Sequence, residues 1–385
     1  MELLLFEPHL EHAAGHYNRY IRVLAGEAAR QGFRLTVATS SIIQPGLKAM
    51  LEARDVEILP VFDPTPFRLH ADAARRAGIS RQLCGVALDC LARRPLARTA
   101  WLSGTGALLD AACLFATTTR QPFVFQMLDF ANDWPSGELT APEPLREAVA
   151  RATACGMRIR VQSNSIAQQL QREIGTPIGV FPAILDLHPL KQRPRRPRPV
   201  IGMTNMFRNA KDGSGALPAL MAHGDRIALV LHTGQDTTVE AVNTLKARVD
   251  ALARHHRLKH EQVQIVAGVL PPEQYLAMWQ GLDATLMPYD PTRYVRQGSG
   301  VLFESLADAI IPIVPLGTSM AASLTELDLG LTYDPAAHGS LQGAIGRLLS
   351  DFERLAARQR AFAPLYREAN APAKVVAALM MDDAR

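Results

Sequence analysis

The sequence predicts an α/β protein that contains two doubly wound parallel sheets. The chain has 385 residues, of which 48% are apolar and 20% are charged, a globular composition in a chain too long for one ordinary core. In both halves, short apolar runs alternate with stretches of helical character, which is the pattern of parallel strands joined by crossover helices. A basic, proline-rich segment separates the halves, and we therefore expect two domains of similar size.

The first half is predicted to form a domain over residues 1–190. Its predicted strands are Leu3–Phe6, Leu35–Ala38, Val56–Phe62, Ala100–Leu102, Pro122–Met127, Arg158–Val161 and Gly179–Phe181. Ligands of doubly wound sheets bind at the carboxyl ends of the strands. Gly15 and His16 follow the first predicted strand, and Asp129 and Asp133 follow the fifth. His16 is equally well explained as a helix-start residue, and the two aspartates are explained as caps of a loop.

The segment from Lys191 to Pro199, KQRPRRPRP, is predicted to link the two domains. It carries five cationic residues and no acidic one, whereas the flanking sequences are nearly neutral within a net charge of +4. Its prolines stiffen it and cannot continue a helix or a central strand. A solvated linker is the favoured interpretation, and a peripheral contact with anionic lipid head groups is the alternative. Because no basic face with interleaved aromatic residues accompanies it, no nucleic-acid partner is expected.

The second half, from residue 200 to residue 363, repeats the alternation of strand and helix. Its predicted strands are Val200–Met203, Ile227–Leu231, Val263–Ala267, Ala284–Met287 and Ile310–Pro315. Arg208 and Lys211 follow the first of these strands, where two cations would neutralise an anion such as a diphosphate. Taken separately, each of them could equally be an ordinary surface residue.

The segment Met287–Pro315 carries the clearest candidate ligand site. A polar loop with Tyr294 and Arg296 leads into a glycine-rich turn and a helix, and Glu304 lies one turn into that helix. The turn consists of Gly298, Ser299 and Gly300. Free N–H groups and the dipole at a helix N-terminus favour an anion, and a carboxylate nearby could accept hydrogen bonds from a ribose diol. The alternative is an ordinary helix start whose glycines only form the turn.

Several function classes find no support in the sequence. No apolar run is long enough to cross a bilayer, and the opening MELLLFEP has no features of a signal peptide. The first strand is not followed by G-x-G-x-x-G, so a dinucleotide-dependent dehydrogenase is not indicated. The four cysteines show no spacing typical of a metal site or a redox motif and are interpreted as buried residues of a cytoplasmic protein.

Taken together in order, these segments resemble the glycosyltransferase B fold and, within it, the family-four (group 1) glycosyltransferases. The resemblance covers nearly the whole chain. It rests on LLLFEP…GHYNRYIRVLAGEAARQGFRLTVATS, RIRVQSNSIAQQLQREIG…VFPAILDLHP, PVIGMTNMFRNAKDG, GVLPPEQYLAMWQGLDATLMPYD, GSGVLFESLADAIIPIVP and LGLTYDP.

The resemblance implies two Rossmann-like domains facing across a cleft, with the nucleotide-sugar donor held mainly by the second domain. It implies metal-independent transfer, without a cofactor, to a saccharide, lipid-linked or protein acceptor in bacterial glycan synthesis. Arg208 and Lys211 would neutralise the leaving diphosphate, Glu304 would bind the ribose, and Gly15 would approach the donor. Residues 364–385 would pack back on the first domain. The implied location is the cytoplasm or the inner face of the membrane.

Two departures from the family pattern bear on the mechanism. The family carries a Glu, seven residues and a second Glu; Glu304 is the second, but Arg296 stands at the first position. Because Arg296 directly precedes the glycine-rich turn, it is expected to bind the diphosphate, with an anionic group on the sugar or acceptor as the alternative, and Tyr294 is expected to shape the same pocket. The family usually carries a histidine after its fourth strand, in the segment that corresponds to residues 125–129 of this chain, and none is present there. Retention of the anomeric configuration is implied, and inversion would require Asp129, Asp133 or His16 as a base. A sugar-nucleotide epimerase and a non-catalytic nucleotide-sugar-binding protein stay open as alternatives.

Overall fold

A computed structural model describes residues 1–12, 16–64, 73–128, 143–190, 196–206, 215–234, 237–256 and 262–380. The chain divides into two compact units. The first comprises Met1–Asp186, Arg296–Gly298 and Ala369–Arg385, and the second comprises Leu187–Val295 and Ser299–Glu368. The predicted domain boundary at residues 190–191 thus lies a few residues from the observed division, and two later segments of the chain belong to the first unit.

The described part of the first unit contains one sheet of seven strands in the order β3-β2-β1-β4-β5-β6-β7, and all its strand pairs are parallel. The strands are β1 Glu2–Glu7, β2 Arg34–Ser40, β3 Val56–Phe62, β4 Arg98–Gly104, β5 Phe123–Met127, β6 Met157–Val161 and β7 Gly179–Val180. The strand order reverses direction between β1 and β4, which is the position where ligands of doubly wound sheets bind.

Helices cover both faces of this first sheet. They are α1 His16–Gln31, α2 Pro45–Glu52, α3 Ala73–Ala92, α4 Gly106–Thr119, α5 Glu143–Ala154 and α6 Asn164–Ile174. On one face, α3 to α6 pack over a core that includes an aromatic cluster of Phe6, Phe62, Trp101 and Phe115. On the other face, α1 and α2 pack over the side chains that point the opposite way from the same strands. Three cysteines, Cys84, Cys90 and Cys113, are buried free thiols.

The described part of the second unit contains a parallel sheet of six strands in the order β10-β9-β8-β11-β12-β13. The strands are β8 Val200–Thr204, β9 Ala228–His232, β10 Val263–Val266, β11 Ala284–Leu286, β12 Ile311–Pro315 and β13 Leu331–Tyr333. The helices are α7 Leu217–Met221, α8 Val239–His255, α9 Pro272–Gln280, α10 Pro291–Tyr294, α11 Gly300–Ala307, α12 Ser319–Leu327, α13 Ser340–Ser350 and α14 Phe352–Ala369. The predicted class, α/β with two doubly wound parallel sheets, is confirmed.

The last helix, α15 Pro372–Met380, is part of the first unit. Its Val375 and Leu379 are buried in the same core as α1 and α2, because an apolar helix face must be covered. Just before it, the Asn370 side-chain oxygen accepts a hydrogen bond from the backbone N–H of Ala183 at 2.6 Å. The tail was predicted to begin at residue 364, but α14 continues through Pro364, so the division lies between residues 368 and 369.

Of the helices in the described ranges, none combines the length and apolar character that crossing a membrane requires.

Candidate functional site

The carboxyl edge of the second sheet brings together tight turns after three neighbouring strands. Asn205 follows β8, Gly234 follows β9 and Gly268 follows β10, and each has a positive φ, of 57°, 79° and 76° respectively. A Cβ at Gly234 would lie 2.1 Å from the side-chain oxygen of Asn205. Only glycine fits there, because both the backbone conformation and the space exclude a side chain. The turns therefore pack closely at the edge where ligands of such sheets bind.

Helix α11 begins at this same carboxyl edge, directly after the glycine-rich turn. Ser299 is its N-cap, and the backbone N–H of Leu302 donates to the Ser299 hydroxyl at 3.4 Å. The helix has eight residues, starting at Gly300. The serine satisfies one of the N–H groups that a helix start leaves without a partner in the helix. The remaining N–H groups and the helix dipole make this end of α11 suited to an anion.

Glu304 lies on α11 and is half-buried. The hydroxyl of Tyr275, on α9, donates a hydrogen bond to Glu304 Oε2 at 3.0 Å. Four residues further along both helices, Trp279 Nε1–H donates to Asp308 Oδ2 at 2.9 Å. Equal spacing of the two pairs shows that α9 and α11 run side by side in the same direction, because residues four apart lie on one helix face.

His232, the last residue of β9, lies beside Tyr275. Only 4% of it is exposed, and its Nε2 lies 2.9 Å from the carbonyl oxygen of Gly268. Burial lowers the pKa of His232, so the ring is neutral, and Nε2 carries the proton because a carbonyl oxygen can only accept. Its ring centroid lies 6.1 Å from that of Tyr275. The sequence singled out neither residue as part of the site, since no motif marks a contact between a strand end and a separate helix.

The residues before the glycine-rich turn have partners within the fold. Tyr294 is buried in the core of the second unit, and its ring centroid lies 4.4 Å from that of Tyr289. This packing does not test the prediction that Tyr294 contacts the donor.

Arg296 belongs to the first unit and forms a buried ion pair there. Its Nη2 lies 3.1 Å from Oε1 of Glu173 on α6, and each side chain is only 7% exposed. In the same unit, a Cβ at Gly298 would lie 2.1 Å from the side-chain oxygen of Gln162. Residues 296–298 are thus fixed by a charge pair and by close packing. Arg296 was predicted to bind the diphosphate; the structure gives its guanidinium a carboxylate partner, and the diphosphate contact stays a prediction.

The carboxyl edge of the first sheet holds two buried titratable side chains. Glu7 ends β1 and is fully buried, and burial raises the pKa of its carboxyl to about 8. The Ser103 hydroxyl and the backbone N–H of His9 act against this shift, although neither makes a hydrogen bond of ordinary geometry to the carboxyl. Burial lowers the pKa of His9 to about 4. Near neutral pH both groups are therefore uncharged.

Several predicted site residues lie outside the described residues, namely Gly15, Asp129, Asp133, Arg208 and Lys211. Helix α1 begins at His16, whose side chain also lies outside the description. Among the side chains that are described, no group of three or more His, Cys, Asp or Glu residues is arranged to hold a metal ion. Metal-independent chemistry remains a prediction.

The amino edge of the second sheet carries a cavity of about 890 Å³. Its lining includes Arg196, Arg198, Arg226 and Arg360, together with Asp225, Asp283 and Glu353. Arg196 lies 3.8 Å from Asp283, so part of this charge is already balanced. Since ligands of doubly wound sheets bind at the opposite, carboxyl edge, the cavity is not a candidate for the nucleotide site.

No protein-family model and no curated protein sequence matches the chain. Solved structures do. A glycosyltransferase from Rickettsia africae ESF-5 is 13% identical, with a TM-score of 0.68 over 99% of this chain and 97% of that one. WaaG, a glycosyltransferase involved in lipopolysaccharide biosynthesis, is 14% identical, with a TM-score of 0.61 over 98% and 99%. Anabaena HepE, in complex with UDP-glucose, is 12% identical, with a TM-score of 0.56 over 99% of both chains. The chain therefore has the glycosyltransferase B fold.

Proposed function

We propose that the chain is a glycosyltransferase that moves a sugar from a nucleoside-diphosphate donor to an acceptor. The observation that carries this proposal is the half-buried Glu304, one turn into a helix whose N-terminus lies at the carboxyl edge of the second sheet. A carboxylate and a set of free N–H groups so placed suit a ribose diol and a diphosphate respectively. The fold supports the proposal, and so does HepE, a protein of similar structure whose complexes contain UDP and UDP-glucose.

In the proposed reaction, the N–H groups of α11 bind the diphosphate and Glu304 accepts hydrogen bonds from the ribose. Arg208 and Lys211 neutralise the negative charge that develops on the leaving diphosphate, and Gly15 allows the backbone to approach the donor. The reaction needs no cofactor and no metal ion. It retains the anomeric configuration; an inverting reaction would need a base beside the acceptor hydroxyl, from Asp129, Asp133 or His16.

The proposed acceptor is a saccharide, a lipid-linked glycan or a protein, in the synthesis of bacterial surface glycans or glycoconjugates. The proposed location is the cytoplasm or the inner face of the membrane. A lipid-linked acceptor would place the protein at an anionic surface, and the basic linker supplies cations for such a contact. Two of them, Arg196 and Arg198, line one cavity with Arg226 and Arg360.

A membrane contact predicts salt-sensitive binding to anionic vesicles. Changing Arg193, Arg195, Arg196 and Arg198 to glutamine is expected to weaken binding to phosphatidylserine vesicles by two to three orders of magnitude at low salt, because each clustered cation contributes about 1 kcal/mol. Higher salt should reduce binding of the unaltered protein in the same way. Changing the exposed Arg354 and Arg358 to glutamine is the control. If the unaltered protein and both variants sediment equally, the segment 191–199 acts only as a linker.

The direct test is incubation of the purified protein with UDP-, GDP- and dTDP-sugars, with and without saccharide and lipid-linked acceptors. Release of nucleoside diphosphate that depends on an acceptor would support transfer. Interconversion of sugars without an acceptor would instead indicate an epimerase. Binding of the nucleotide sugar without turnover, under all these conditions, would indicate a non-catalytic binding protein.

Changing Glu304 to alanine is expected to weaken nucleoside-diphosphate binding at least tenfold. The loss of hydrogen bonds between a carboxylate and the ribose corresponds to about 1.5–3 kcal/mol. Isothermal titration calorimetry measures the affinity, and circular dichroism checks that the variant is folded. Glu326→Ala, which removes an exposed glutamate from α12 of the same unit, is the matched control. Unchanged affinity in Glu304→Ala would place the nucleotide elsewhere.

A further inference from the structure

We propose that Tyr275 is a positioning residue, whose hydroxyl holds the Glu304 carboxylate in the orientation that a nucleotide's ribose diol requires. This inference rests on the proposed function, because it assigns a role within the same nucleotide site. It adds a residue that lies on another helix, α9, and to which the sequence alone assigned no role.

Tyr275 contacts the Glu304 carboxylate directly. The Tyr275 hydroxyl donates to Oε2 of Glu304 at 3.0 Å, and both side chains are half-buried, so a ligand can reach them. A glutamate side chain has several rotatable bonds and loses much of its freedom when it is fixed. A donor built into the protein imposes part of that order before the ligand arrives, which reduces the cost of binding.

Two aromatic rings hold the ring of Tyr275 in place. Its ring is stacked on Trp279 with a centroid distance of 6.1 Å and an interplanar angle of 9°. The His232 ring lies against it edge-on, also at 6.1 Å. Trp279 is itself buried. A hydroxyl on a ring restricted in this way can fix the direction of its hydrogen bond.

A carboxylate such as that of Glu304 can accept several hydrogen bonds. An ionised carboxylate has two oxygens and about four lone-pair positions, and it only accepts hydrogen bonds. The hydroxyl of Tyr275 occupies one of those positions on Oε2. A ribose diol supplies two O–H donors, so the carboxylate can accept from the tyrosine and from the ligand at once. The tyrosine thus orients Glu304 without competing for the ligand.

A simpler role is that the Tyr275–Glu304 bond only ties α9 to α11, as the bond between Trp279 and Asp308 does. The two bonds have the same spacing along both helices, so they form a natural pair for comparison. A tie between helices would affect stability alone. A positioning role would also affect how the protein discriminates a ribonucleotide from its 2′-deoxy analogue, because the deoxy form lacks one of the two hydroxyls.

The experiment measures the affinities of the full chain for UDP and for 2′-deoxy-UDP by calorimetry. In the unaltered protein, UDP is expected to bind at least fivefold more tightly than its deoxy analogue. Tyr275→Phe removes only the hydroxyl and is expected to weaken UDP binding three- to tenfold and to bring the ratio of affinities close to one. Asp308→Ala breaks the matched helix–helix bond and is expected to leave the ratio unchanged.

If Tyr275→Phe keeps the ratio of the unaltered protein while Glu304→Ala abolishes it, the positioning role is wrong and the ribose contact stands. If Glu304→Ala also keeps the ratio, the ribose contact is wrong and this inference falls with it. If Asp308→Ala lowers the ratio as much as Tyr275→Phe, the bonds act only by joining the helices, and the inference is overturned. Transferase activity is measured separately, so loss of the proposed reaction is distinguishable from each of these results.

Discussion

Changing Arg296 to alanine is expected to lower the free energy of unfolding of the first unit by about 3–5 kcal/mol. The substitution removes the guanidinium that lies 3.1 Å from Glu173, and it leaves that carboxylate in a site where its side chain is only 7% exposed. A buried charge that loses its counter-ion keeps its cost of desolvation and loses the attraction that offset it. Differential scanning calorimetry measures the effect.

Two further variants sharpen this test. Arg172→Ala removes an exposed arginine from α6, the helix that carries Glu173. This variant is expected to change the free energy of unfolding by no more than about 0.5 kcal/mol. The double variant Arg296→Met and Glu173→Leu replaces the pair with apolar side chains and is expected to recover most of the stability. If Arg296→Ala unfolds like the unaltered protein, the ion pair is not buried in solution.

The unaltered protein is expected to lose about 2 kcal/mol of unfolding free energy between pH 6.5 and pH 8, because of Glu7. Burial raises the pKa of Glu7 to about 8 from an ordinary value of 4.5. Between these values the folded state keeps a proton that the unfolded state has released. Stability from this group is therefore complete below pH 4.5 and falls as the pH rises towards 8, by about 1.4 kcal/mol for each pH unit.

His9 acts with the opposite sign over a lower range. Burial lowers its pKa to about 4 from 6.5, so between these values the unfolded state binds the additional proton. Its contribution is present above pH 6.5 and is lost as the pH falls towards 4. The two groups oppose each other in the acidic range, whereas Glu7 acts alone above it.

Urea unfolding at pH 6.5, 7.25 and 8 isolates the Glu7 contribution. Glu7→Gln is expected to remove the pH dependence of the unfolding free energy in this range, since an amide does not titrate. Glu52→Gln, on the exposed end of α2, is the control. A flat profile in the unaltered protein would mean that Glu7 is already ionised in the folded state.

The alternation of strand and helix could be predicted because each element has a local periodicity of apolar residues. The strand predicted at residues 200–203 is observed as Val200–Thr204, and the one at residues 310–315 as Ile311–Pro315. Helix α5 was not identified; Val149 and Ala152 are the buried residues among its twelve. Helix α2, which starts with Pro45 and Gly46, was missed because proline and glycine normally indicate a loop.

The partners within the site could not be predicted. Tyr275 and Glu304 are 29 residues apart, and their contact depends on the register of two helices that no local pattern encodes. Arg296 was interpreted as a ligand-binding cation because it directly precedes a glycine-rich turn. A charged residue's partners within the fold are set by tertiary structure, and the pairing of Arg296 with Glu173, far away in the sequence, has no local signature. The glycines and Glu304 were identifiable because a helix start has a local signature.

The first unit is assembled from three separate stretches of chain, the last of which begins at Ala369. During synthesis, the ribosome has therefore completed both sheets before it makes α15, which covers part of the first core. Until then, the apolar face that later meets Val375 and Leu379 is open to water. The nascent protein consequently has an exposed, aggregation-prone surface from the completion of the first sheet until α15 is made, and a fragment that ends at Asp186 would keep that surface permanently.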